Sequence, residues 1–297
     1  MRHIQGLPQD AGLAVAPHTA AIVTLSPASS LSMPVSPVPL APPSAEDDPL
    51  AALGTELDRW AALGRKASFW WRDDDAIAPT PQLDRLLSLA ARHGRWVALA
   101  VIPRDASPAL AARLQDTAVV VIQHGWAHLS HAPAGEKKAE LGDHRPAEDT
   151  LAELADGRAR LEALFGPRFR PVLAPPWNRI GPRLRARLGE AGLTVLSDFG
   201  PRGLAPGLRV VNTHVDPVDW RGSRGFAGIG RTVAPILQHL ADRRSGAADP
   251  DEATGILTHH LVHDAEGWIF LDAFLALLGR HPAADWPGAD TLFGARP

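Results

Sequence analysis

Apolar positions begin to repeat only at Pro49. Residues 1–48 are rich in Pro, Ser and Ala, end on Pro42-Pro43-Ser44-Ala45-Glu46-Asp47-Asp48, and carry neither a helical nor a strand period. Such a stretch cannot bury enough apolar surface to offset the entropy of ordering, so it reads as a disordered leader. From Pro49, Leu50, Leu53, Leu57 and Trp60 recur at helical spacing. Short apolar runs follow at 68–72, 97–102, 119–123, 171–174, 194–197, 208–212 and 256–259. Helical patterns lie between most of them, at 80–93, 107–115, 147–164, 182–191, 230–243 and 271–278. Pro81 and Pro182 suit first helical turns, and Gly192 and Gly279 suit helix stops. Alternating strands and helices imply a parallel sheet covered on both faces. About seven repeats predict one α/β domain over 49–297, a distorted (β/α) barrel of about seven strands, TIM-barrel-like. Polar residues gather where the strands end, at Asp73–Asp75, His124, 175–177 and His259, which is the face on which barrels build their sites.

Composition narrows the chemistry. There is no cysteine, which excludes disulfides, thiol catalysis and thiolate metal sites. There is no tyrosine either, so any metal or proton must be handled by the 13 histidines and the carboxylates. A net charge of −3 without a basic face argues against nucleic acid as a partner. No run approaches the ~20 apolar residues of a membrane span. The N-terminus lacks the pattern of a secretory leader, so the protein is expected in the cytoplasm.

Five segments concentrate reactive side chains. Trp70-Trp71-Arg72-Asp73-Asp74-Asp75-Ala76 sets three carboxylates side by side, which repel unless a cation joins them. It also reads as a solvated acidic turn. In His124-Gly125-Trp126-Ala127-His128 two imidazoles four apart meet on one helical face, close enough to share a metal. Alone, they read as polar loop residues. Ala174-Pro175-Pro176-Trp177-Asn178 is a stiff loop that could aim the Trp177 N–H at an oxyanion. Asp216-Pro217-Val218-Asp219-Trp220 and Leu257-Thr258-His259-His260 complete the set. A strand-end histidine can serve as a proton donor, and one of the adjacent pair should face inward. The run Gly135-Glu136-Lys137-Lys138-Ala139-Glu140 reads as a solvated helix start.

In this order, the segments resemble the five motifs of the polysaccharide deacetylases, carbohydrate esterase family four. The matching pieces are Asp73-Asp74-Asp75-Ala76, His124-x-x-x-His128, Pro175-Pro176-Trp177, Asp219-Trp220 and Leu257-Thr258-His259, over roughly 66–280. The resemblance implies a metal on Asp75, His124 and His128, zinc first, with cobalt, nickel or iron as alternatives. It implies Asp74 as general base, the Trp177 N–H as oxyanion donor and His259 as general acid. Trp126, Pro176, Asn178, Asp219 and Trp220 would line the substrate cleft. The implied reaction is removal of an acetyl group from an N- or O-acetylated carbohydrate. A small N-acyl or ester substrate is one alternative, and a non-catalytic carbohydrate-binding protein another. The chain departs from the family's pattern at Ala76, Gly125 and Ala174, the last standing where an arginine usually steadies the base. Arg72, two residues before Asp74 on the same strand face, is expected to replace it.

Overall fold

The computed structural model describes residues 48–203 and 207–295; the expected leader, but for Asp48, lies outside them. Among the described residues no helix is long and apolar enough to cross a membrane. The elements are α1 (Pro49–Ala62), β1 (Ala67–Ala76), α2 (Pro81–Arg92), β2 (Val97–Val101), α3 (Pro108–Arg113), β3 (Val119–His124), α4 (Ala147–Phe165), β4 (Phe169–Ala174), α5 (Pro182–Arg185), β5 (Val195–Leu196), β6 (Arg209–Val210), α6 (Ile229–Ser245), β7 (Thr254–Thr258), α7 (Ala265–Arg280), β8 (Ala284–Asp285) and α8 (Ala289–Phe293). Thr80 and Ser107, each directly followed by a proline at the first helical position, accept from the Leu83 and Leu110 N–H groups, so α2 and α3 open on capped Thr-Pro and Ser-Pro pairs.

The sheet is parallel, in the order β6-β5-β4-β3-β2-β1-β7, with the short β8 beside β1. Past β6 the chain crosses to β7: His214 N–H donates to Gly255 O at 2.7 Å, and Leu257 N–H donates to Val215 O at 2.8 Å. The curled sheet thereby closes into the expected distorted barrel. Its two faces sort by strand period. Trp70, Ala98, Ala100, Ile122, Val172, Ala174 and Val195 pack inside. Phe69, Trp71, Leu99, Val101 and Val121 face the helices, against Leu83, Leu86 and Phe274 among others. Continuing that alternation along β1 sends Arg72 and Asp74 into the lumen and Asp73 outward. At the end away from the aspartates, Phe293 of α8 meets Trp70 edge-on at 5.6 Å and floors the barrel.

Three features differ from expectation. β1 runs to Ala76, so the acidic triplet lies within the strand rather than after it, because each carboxylate finds its own partner there. The helix expected at 182–191 breaks after Arg185 and resumes as a 3₁₀ turn at Leu188–Ala191, which contains Gly189. The short β8 and α8 carry no period for a pattern to register.

Candidate active site

The triplet divides its labour. Asp73, fully buried, accepts from Thr258 Oγ1 at 2.6 Å and from His260 N–H at 3.0 Å, and pairs with His260 Nδ1. Burial pulls His260 down, but the Asp73 charge and hydrogen bond lift it above the usual imidazole range. That pair ties β1 to β7 on the outer face, and His259 is the member of the His259–His260 pair that turns towards the mouth. The register with β2 slips between Asp73 and Ala76, and Asp75 takes φ of 74°. The bulge aims Asp75 at the histidines while Asp74 stays in the lumen.

Asp75 Oδ1 lies 3.1 Å from His124 Nε2 and 3.4 Å from His128 Nε2. The two histidines meet through a tight loop rather than on a helix, with positive φ at Gly125 and His128. His124 Nδ1 faces Ala174 O at 2.9 Å, which fixes Nε2 as the free nitrogen. Burial raises the Asp75 carboxyl, but His124, His259 and His128 together hold it far below the usual carboxylate range. Burial and then the neighbouring His124 push His128 below its usual value, keeping its lone pair available. The set fits a divalent metal. The two imidazoles stand with ring centres 5.2 Å apart and turn both Nε2 atoms towards Asp75 Oδ1.

Asp74 is 3% exposed and Arg72 is fully buried. Arg72 Nε lies 2.9 Å from Asp74 Oδ1, and Nη2 donates to Oδ2 at 3.1 Å. The same guanidinium donates to Asn178 Oδ1 at 2.6 Å, and to Ser197 O and Oγ at 2.7 and 2.8 Å. The guanidinium therefore stands against Asp74, in a lumen where Ala98, Ala100 and Ala174 are all small. Asn178, expected to meet substrate, turns its amide oxygen to Arg72. Trp177 takes φ of 56°, with its ring centre 4.3 Å from that of His128. Among the described residues no backbone acceptor takes its N–H. Pro176 is buried against this loop and packs towards Gly125, so it shapes the cleft from behind rather than lining it. Trp126 is half-buried on the histidine loop.

His259 faces this group from β7. Its Nδ1 lies 3.5 Å from Asp216 Oδ2, and Trp220 meets its ring edge-on at 4.7 Å. Trp220 Nε1 donates to Asp216 Oδ2 at 2.7 Å. Burial holds the Asp216 carboxyl above its usual value. The carboxylate of the Asp…Trp motif at the site is thus Asp216, a correction to Asp219, whose side chain reaches Arg231 at 3.3 Å instead. The spacing was the signal: Trp220 at i+4 can reach back to Asp216, whereas Asp219 adjoins it and points elsewhere. Glu140 is a second correction. Residues 135–140 form no helix, and Glu140 is 1% exposed beneath the histidine loop.

A further buried cluster, His214, His239 and Glu252, lies towards the start of β7. Its imidazoles stack with centres 3.7 Å apart. Nearly parallel stacked rings, their planes 19° apart, do not aim their lone pairs at one common point. His214 Nδ1 also accepts from Gly255 N–H at 3.0 Å, so Nε2 carries a proton and gives it to Glu252. This cluster is a hydrogen-bonded clamp joining the closing segment, α6 and β7.

A curled parallel barrel of this kind is a known architecture. The solved structures it matches include a Mycobacterium smegmatis protein classed as a polysaccharide deacetylase, at TM-score 0.51 and 16% identity, covering 77% of this chain and 89% of that one. They also include a family 4 carbohydrate esterase from Streptomyces lividans in complex with acetate, at TM-score 0.50 and 16% identity, covering 78% and 98%. No family model and no curated protein sequence matches the chain. It shares the fold of these enzymes across nearly their whole length.

Proposed function

We propose that this chain is a metal-dependent hydrolase that removes an acetyl group from an acetylated carbohydrate. The observation that carries the reading is the convergence of Asp75 Oδ1, His124 Nε2 and His128 Nε2, with Asp74 and His259 close enough for their charges to act on the group. Its nitrogen and oxygen donors suit zinc, and also cobalt, nickel or iron. Held there, a divalent ion supplies a Lewis acid and lowers the pKa of a water it binds to about 7. Asp74, fixed by Arg72, is the group placed to take the proton of a water attacking the acyl carbonyl. The Trp177 N–H donates to the oxyanion, a type of contact worth about 10²–10³ in rate. Asp216 faces Nδ1 of His259 and leaves Nε2 to protonate the departing nitrogen or oxygen. Acetate and the free amine or alcohol result.

One observation favours a second reading, a smaller or partly apolar acyl substrate. Ile77, Leu129, Phe199, Trp220 and Leu261 are all exposed on loops at the strand ends around the site. The test is metal analysis of wild type and His124→Ala, with acetate release measured from chitooligosaccharides, acetylated amines and aryl acetates. Wild type should carry about one equivalent of metal and hydrolyse at least one class; His124→Ala should lose both. A metal-free, inactive wild type that still binds sugar would instead mark a carbohydrate-binding protein.

A further inference from the structure

Gly125 sits between the two metal-type histidines at φ +57°, and a Cβ built there would lie 2.0 Å from Glu140 Oε2 and 2.6 Å from Pro176 Cγ. No side chain fits that space while Glu140 and Pro176 hold it. Glu140 Oε1 accepts from Ala127 N–H at 2.6 Å, and Oε2 accepts from Trp126 N–H at 3.2 Å. Left-handed residues at both ends, Gly125 and His128, turn those N–H groups into one concavity, the geometry in which successive amides hold an anion. From the other side, Gln123 Nε2 donates to Gly125 O at 3.0 Å and to Leu154 O at 3.0 Å. The run joining His124 to His128 is therefore clamped by two buried side chains.

We propose that Glu140 is the positioning residue of the metal-type centre. It sets the His124–His128 separation through the loop amides, and it has taken over the space of the side chain that position 125 lacks. A buried carboxylate is costly unless its oxygens are satisfied, so the loop cannot shift without exposing Glu140 or stranding it. The inference rests on the reading of Asp75, His124 and His128 as a metal site.

The test uses metal-stripped full-length protein titrated with zinc by calorimetry, and with cobalt by visible absorption. Glu140→Ala should bind zinc 10–100-fold more weakly, the usual cost of losing a group that orients a metal ligand. It should also alter the cobalt spectrum. Glu136→Ala, an exposed carboxylate on the same segment, serves as control and should match wild type. Gly125→Ser should also weaken zinc binding, because Glu140 and Pro176 both occupy the space its side chain would need. If Glu140→Ala does not fold, Glu140→Gln replaces it, because its amide opposes one loop N–H with another donor and should weaken binding too. Either variant binding zinc with wild-type affinity and cobalt spectrum overturns the proposal. A wild type that binds neither ion overturns the metal reading beneath it, a distinguishable failure.

Discussion

Removing the Arg72 guanidinium offers the sharpest test of how the base is held. Arg72→Ala deletes donors to four acceptors: the Asp74 carboxylate, the Asn178 amide oxygen, and the Ser197 carbonyl and hydroxyl. Asp74 is then a carboxylate at 3% exposure without its cation. Breaking a buried ion pair from one side typically costs about 3–5 kcal/mol, a large share of a domain's total of about 5–15 kcal/mol. Arg72→Lys retains charge but reaches one or two of the acceptors, since an ammonium lacks the planar fork. Urea unfolding at neutral pH should place the variants in the order wild type, Arg72→Lys, Arg72→Ala. Acetate release should fall in kcat by about 10²–10⁴, the range of a displaced general base, with a smaller change in KM. An Arg72→Ala protein with wild-type kcat and an unshifted urea midpoint would refute the reasoning.

Other outcomes follow from the same geometry. Asp216→Asn should lower kcat by about 10², because His259 loses the carboxylate that faces Nδ1, while Asp219→Asn should stay near wild type; steady-state acetate release separates them. Glu252 tests the clamp. Burial alone would raise it, but the hydrogen bond from His214 and the nearby His239 imidazole prevail and hold it at about 2, below its ordinary 4.5. A depressed carboxyl stabilises the fold above its ordinary value and loses that contribution as pH falls towards 2. Glu252→Gln should therefore be less stable than wild type by on the order of 3 kcal/mol at pH 7, and the gap should shrink to roughly half by pH 3. Urea midpoints at the two pH values check this, and a gap independent of pH would contradict it.

Much of the barrel was legible because its strands and helices have different periods. The runs at 97–102, 119–123 and 171–174 became β2, β3 and β4 with shifts of one or two residues. The triad was legible for a chemical reason: with no cysteine, Asp75 and a four-residue histidine spacing were the best ligands on offer. Contacts set by burial were harder to see. Glu140 lies in a polar run that looks solvated, and only the loop folding over it reveals a buried carboxylate. Asp216 and Asp219 flank the same motif, and the choice between them depends on which can reach the Trp220 indole. The His214–His239–Glu252 clamp joins three distant segments and has no local signature.

The neighbourhood of Arg72 and Asp74 on one strand has a consequence for how the site could vary. A base and its cation two residues apart in sequence form a local unit, present as soon as β1 is extended, with almost no loop to close. An arginine at position 174 would have made the same contact only once β4 had docked in register. With the cation on β1, position 174 is relieved of chemistry and constrained only by room in the lumen. A selection that randomises it should return small residues, Ala, Gly and Ser, in functional clones, and reject a second arginine, which would compete with Arg72 for one space.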